Sequence, residues 1–261
     1  MSVAVCTLGC TRKRESIFSW DHLVRLQGDY KLYINWEEQL VKGNYQTEDQ
    51  KFLRDAYNDL RHITDNRTLD EENIYIDTWR WHTFEGSSWR SSPRFDQDQA
   101  RLASIVTARN MCIEFAKQTN SSHLLFIDAD IVPPLDIIPK MLAVEEDAVC
   151  GLVHGRGTHA HMEYSFNSNN LAKGNFDKNG IQLREVEHAN IGFAMLSARL
   201  FNQVSFRYGN SEYPNGAQHQ TSDDPAYHLD AFYKFGKWPV IRLDVVGRHV
   251  GDLRENEVSQ Y

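Results

Sequence analysis

Asp128-Ala129-Asp130 is the segment whose residue types and spacing most directly promise chemistry. The two carboxylates follow an apolar run, Leu124-Leu125-Phe126-Ile127, and precede Ile131-Val132-Pro133-Pro134. Such a run reads as a buried strand that delivers charge to a sheet edge. Residues two apart in an extended segment share a side, so both carboxylates are expected to converge on one hard cation, Mg2+ or Mn2+. In open α/β sheets the ligand crevice lies beyond the carboxyl ends of the strands. Proline cannot donate to a strand ladder, which ends the strand soon after the acidic pair.

A second charged residue stands out by its setting. The pattern predicts a helix over about 98–117 with an apolar stripe of Leu102, Ile105, Val106, Cys112, Ile113 and Ala116. Arg109 falls inside that stripe, and a guanidinium there needs an anion. Spacing alone leaves two partners open: a core carboxylate, or a ligand phosphate matched by the planar fork. Further on, Ser222-Asp223-Asp224-Pro225 opens a helix that runs to Phe235 and stops at Gly236. Proline suits the first helical position, which makes Asp224 the expected N-cap.

These residues need elements to hold them. Strands are expected at Val3–Leu8, Tyr30–Trp36, Asn73–Trp81, Ala148–Val153, Ile181–Val186, Ala189–Leu196 and Val240–Val246. Shorter helices are expected at Ser19–Gln27, Leu135–Val144 and Ala198–Val204, and a polar one at Thr47–Ile63. Phe84–Pro93 and Gly155–Gly174 read as loops. The alternation of strands and helices predicts an α/β fold. With 261 residues, 41% of them hydrophobic and 25% charged, the chain suits a single domain over 1–261 with a polar helical insertion at about 37–72.

Composition excludes several classes. A net charge of −8 argues against a broad grip on nucleic acid. No stretch approaches a membrane span, and Met1-Ser2-Val3-Ala4-Val5-Cys6 begins as a strand and not as a signal peptide, so a soluble, cytoplasmic protein is expected. Cys6, Cys10, Cys112 and Cys150 lack metal-finger spacing and read as free thiols.

Four segments, taken in order, resemble the GT-A glycosyltransferases, in particular the family-2-like members. Ile105-Val106-Thr107-Ala108-Arg109-Asn110 together with Leu124–Asp130 looks like that family's Arg-Asn helix and DxD strand. Asn190-Ile191-Gly192-Phe193-Ala194-Met195 looks like its glycine loop, Ser222-Asp223-Asp224 like its xED motif with Asp223 in place of the usual Glu, and His249 like its C-terminal metal-binding histidine. The resemblance covers roughly Asn73–Gly251, and Val3–Gly9 suits the nucleotide-binding first strand.

The resemblance implies a Rossmann-like mixed sheet flanked by helices, as in nucleotide-diphospho-sugar transferases. It implies a nucleotide-sugar donor, a UDP- or GDP-sugar, and Mn2+ or Mg2+. Asp130 and His249 would contact the metal, and Asp128 the ribose or the metal through water. Asp224 would be the general base of an inverting hexosyl- or pentosyltransferase. Thr7 would lie near the nucleobase, Gly192 and Asp223 near donor sugar or acceptor, and Arg109 near the donor. The acceptor would be a protein-linked or lipid-linked glycan or a small molecule, and the acidic total disfavours a nucleic-acid acceptor. A rival fits the DxD alone: Asp128-Ala129-Asp130-Ile131-Val132 also matches haloacid-dehalogenase-like phosphatases, in which Asp128 would attack phosphorus.

Overall fold

The computed structural model describes residues 2–9, 20, 22–37, 71–79, 94–154, 162–163 and 175–249. The expected insertion helix, the expected loop at Phe84–Pro93, Cys10 and Trp81 lie outside them, as does the expected loop at Gly155–Gly174 except for Met162–Glu163, which form a short strand. Thirteen strands are described: β1 (Val3–Gly9), β2 (Tyr30–Glu37), β3 (Ile74–Trp79), β4 (His123–Ile127), β5 (Ile131–Val132), β6 (Ala148–His154), β7 (Met162–Glu163), β8 (Asn175–Lys178), β9 (Ile181–Glu185), β10 (Phe193–Ser197), β11 (Gly209–Glu212), β12 (Gln218–Thr221) and β13 (Val240–His249). The α-helices are α1 (Arg94–Gln118), α2 (Ile137–Leu142), α3 (Ala198–Phe201) and α4 (Asp223–Phe235).

The main sheet runs β3-β2-β1-β4-β10-β6-β13-β9-β8, with β5 paired to β13 and β7 to β6. β3, β2, β1 and β4 are mutually parallel, as are β6 and β13. β10 is antiparallel to both β4 and β6 and joins the two parallel groups. The result is the expected α/β architecture, a mixed, mostly parallel central sheet flanked by helices.

Period-2 alternation explains how the sheet is covered on both faces. Val3 and Val5 of β1, Leu32 and Ile34 of β2 and Leu125 and Ile127 of β4 share one core with Trp20, Leu23, Ile138 and Met141. The intervening residues Ala4, Cys6, Tyr33, Leu124 and Phe126 share the opposite core with Cys112, Ile113, Phe115, Phe201 and Tyr227. Each fully buried Leu, Ile or Phe contributes about 1.5–3 kcal/mol. Cys6, Cys112 and Cys150 are buried free thiols, as expected.

Several boundaries differ from the sequence reading. α1 begins at Arg94, and the strand expected from Ala189 begins only at Phe193. β13 runs on to His249 because its register shifts after Ile241: its first residues pair with β9 and its last two with β5. The β11–β12 hairpin was not anticipated. Its strands, GNSE and QHQT, carry neither apolar alternation nor β-branched runs, although the Pro214-Asn215-Gly216 turn between them was a readable signal.

β10 crosses β6 at one tight point. A β-carbon on Gly151 would collide with the ring of Phe193, which is fully buried. Gly151→Ala is therefore expected to destabilise the fold by about 1–3 kcal/mol through overpacking, read as a lower denaturant midpoint. An unchanged midpoint would show that the β6–β10 crossing relaxes freely.

Candidate functional site

The carboxyl ends of β1, β4, β6 and β13 share one edge of the sheet, and the antiparallel β10 starts there. The predicted residues from β4 onward collect at this edge. β4 ends at Ile127, and the Asp128–Ile131 segment is a turn closed by the Ile131 N–H donating to the Asp128 carbonyl at 2.9 Å. The expectation of an extended Asp128-Ala129-Asp130 segment is thus corrected. The chain must reverse within three residues so that β5 can pair with β13, and no strand geometry aligns the two carboxylates.

The turn gives the two acids different neighbours. Asp128 donates its backbone N–H to the Gly192 carbonyl at 2.7 Å, and its charge acts on Arg109 and Asp224. Asp130 adjoins β5, where Ile131 is in register with His249. Gly192 leaves room for the Asp128 carboxylate: a β-carbon there would collide with it and force it to shift. The Gly192 N–H donates to Asn190 Oδ1 at 2.6 Å, which folds the loop back on itself.

Arg109 pairs with carboxylates, the first of the two partners that the sequence left open. The guanidinium, in a residue only 5% exposed, donates through Nη1 to Asp223 Oδ2 at 2.5 Å and also to Asp224 Oδ1. Its buried face on α1 matches the expected stripe only at Cys112, Ile113 and Ala116: Leu102, Ile105 and Val106 are half-buried, and Ser104 and Ala108 are buried in their stead. Burial works against the guanidinium charge, and the charges of Asp224, Asp223 and Asp128 outweigh it, so Arg109 is held charged above its ordinary value. The same burial pushes both Asp223 and Asp224 above the usual carboxylate range, opposed chiefly by Arg109.

The expected cap is also corrected. Ser222, not Asp224, is the N-cap of α4, and Asp223 and Asp224 both lie in its first turn. Asp224 is therefore not spent on capping. It takes Arg109 and a backbone N–H from Ile191, and its side chain keeps 24% exposure against 8% for Asp223.

Sequence reasoning missed the supporting groups. Asn110, next to Arg109, clamps the backbone of Phe206: its Nδ2 donates to the Phe206 carbonyl at 3.0 Å, and the Phe206 N–H donates to its Oδ1 at 2.8 Å. The Phe206 ring lies 5.4 Å from the guanidinium carbon and stacks on Tyr227 of α4 at 4.3 Å. His228 is fully buried, pairs through Nε2 with the Ala189 carbonyl at 3.1 Å, and is pushed down to about 3, mainly by burial, so it stays neutral. Only its position on the buried face of α4 hinted at this.

Thr7, at the end of β1, is fully buried, and its Oγ1 has no hydrogen-bond partner among the described residues. Among the described residues, no three His, Cys, Asp or Glu side chains are gathered closely enough to hold a metal. Two carboxylates and an imidazole brought to one edge are nevertheless the donor types that suit Mn2+ or Mg2+ when a ligand's phosphate oxygens complete the set. No described helix is long and apolar enough to cross a membrane.

Family models give no match to the chain, and neither do curated proteins. Among solved structures, the chain is similar to a crystal structure of apo-UDP-glucose pyrophosphorylase, with a TM-score of 0.46 and 9% identity over 94% of this chain and 91% of that one. Likeness at that level carries no conclusion about chemistry.

The Gly192 contact is directly testable. Gly192→Ala displaces the Asp128 carboxylate, so any ligand-induced rise in melting temperature is expected to shrink to less than half, read by thermal shift. An undiminished rise would show that Asp128 keeps its place or does not face the ligand.

Proposed function

We propose that this chain is a metal-dependent glycosyltransferase that moves a hexosyl or pentosyl group from a UDP- or GDP-sugar to an acceptor hydroxyl with inversion. One observation carries the reading: segments far apart in sequence, at Asp128–Asp130, Gly192, Asp223–Asp224 and His249, meet at the carboxyl edge of the sheet. That edge is where open α/β sheets bind their ligands.

In this reading Thr7 borders the nucleobase, and Asp128 faces the ribose. Gly192 sets the position of Asp128. Asp130 and His249 would hold a divalent cation. A bound Mn2+ or Mg2+ would neutralise charge on the diphosphate leaving group. Asp224 takes the proton of the acceptor hydroxyl as that oxygen bonds to the anomeric carbon and the bond to the diphosphate breaks. Its residual exposure suits this role, since a base must be reached by its substrate. The acceptor is a glycan, protein-linked or lipid-linked, or a small molecule.

Turnover is read as nucleoside diphosphate released from the nucleotide sugar that the wild type consumes with Mn2+. Asp224→Asn is expected to lower kcat by about 10²–10⁴-fold, the usual weight of general-base catalysis, with donor affinity retained. Full turnover in Asp224→Asn would sink the assignment. Asp130→Ala and His249→Ala are expected to abolish the metal dependence of turnover, and unaltered dependence in both would contradict their role.

The pH dependence has a definite sign. A base works ionised, and burial raises the pKa of Asp224, so kcat is expected to fall with decreasing pH at a point above the ordinary aspartate value of about 3.9. A rate constant down through that value would contradict it.

A further inference from the structure

The contacts of Asp223 fit a different role from that of a donor- or acceptor-binding residue. Its side chain is 8% exposed and directed onto Arg109, which leaves it little surface to offer a sugar. Arg109 lies in the buried stripe of α1, while Asp223 and Asp224 are adjacent in the first turn of α4. One nitrogen, Nη1, serves both carboxylates. A guanidinium paired one-to-one with Asp224 would hold that carboxylate in place and also neutralise it. With Asp223 sharing the same nitrogen, the cluster carries one positive and two negative charges, and Asp224 is both fixed and left with net negative charge. The guanidinium is held from below as well, by a Phe206 ring that Asn110 clamps and that stacks on Tyr227 of α4.

We infer that Arg109 and Asp223 are a positioning pair that aims the Asp224 carboxylate, and that neither one contacts the nucleotide sugar. The inference rests on the proposed role of Asp224 as the base. Arg109 acts through a planar group that lies over the Phe206 ring while its Nη1 reaches two carboxylates, so a lysine, which is a point charge on a flexible stem, replaces it poorly.

The test uses the full chain with Mn2+ and the nucleotide sugar that the wild type consumes. Arg109→Ala and Asp223→Asn are each expected to lower kcat by at least about tenfold while the donor KM changes by less than about threefold, because an aiming defect acts on the transition state and not on donor binding. Arg109→Lys is expected to recover only part of kcat. Methylguanidinium at millimolar concentration should raise kcat of Arg109→Ala severalfold and leave the wild type unchanged. A loss that falls on donor KM instead would overturn the inference and assign Arg109 to a ligand phosphate. So would a kcat that neither substitution alters, or a folded Arg109→Ala that methylguanidinium does not rescue.

A second readout needs no activity and covers a poorly folded Arg109→Ala. Methylguanidinium should raise the melting temperature of Arg109→Ala, and not that of the triple variant Arg109→Ala/Asp223→Asn/Asp224→Asn, which lacks the carboxylates to hold it. An equal effect on both would overturn the pairing. A wild type that consumes no nucleotide sugar would remove the functional reading while this thermal comparison still decides the pairing.

Discussion

A guanidinium buried between two carboxylates is the constraint on which the rest of the site depends. Taking Arg109, Asp223 and Asp224 out of water costs several kcal/mol per ion, and removing one partner of such a group typically costs about 3–5 kcal/mol because a charge is left unpaired. The arrangement is therefore weak evidence for stability and strong evidence of mutual dependence. It fixes the first turn of α4 against the middle of α1, and so fixes where Asp224 stands relative to the sheet edge. The ring of Phe206 and the amide of Asn110 extend the same contact, since they tie the segment before β11 to the two helices.

The sheet supplies the other half of the site. An antiparallel strand between two parallel groups brings Gly192 beside the end of β4, and the absence of a side chain at Gly192 makes room for Asp128. The register shift in β13 performs a similar service at the far side: it frees the end of the strand to pair with β5, next to Asp130. Gly247 permits that approach, since a β-carbon there would stand 2.8 Å from Ile131 Cγ2. The turn at Asp128–Asp130 thus divides its two acids between the α1–α4 cluster and the β5–β13 pair.

Much of this was legible in the sequence where the signal is local. The run Leu124–Ile127 marked β4, and Cys112, Ile113 and Ala116 marked the buried face of α1, on which the guanidinium of Arg109 demanded an anion. What the sequence left unread depends on long-range pairing. The reversal after Ile127 follows from β5 meeting β13, more than a hundred residues away, so a strand reading of the DxD segment aimed both carboxylates to one side. The N-cap stands at Ser222, and Arg109 pairs with both aspartates, a contact across 114 and 115 residues. The clamp of Asn110 on Phe206 had no local signature, because an exposed helical Asn and a clamping one look alike in sequence. The β11–β12 hairpin was missed because its strands are polar and only its turn carried a signal.

The central claim is that the carboxyl edge of the sheet binds a nucleotide sugar together with a divalent cation. Thermal shift of the full chain with UDP-, GDP-, CMP- and dTDP-sugars, each with and without Mn2+, tests it most directly. A ligand at 100 times its Kd stabilises by about 2.7 kcal/mol, enough to raise the melting temperature by several degrees. The account predicts such a rise for a UDP- or GDP-sugar, dependent on Mn2+ and lost in Asp130→Ala. No shift with any of the four, or a shift indifferent to both Mn2+ and Asp130, would contradict it.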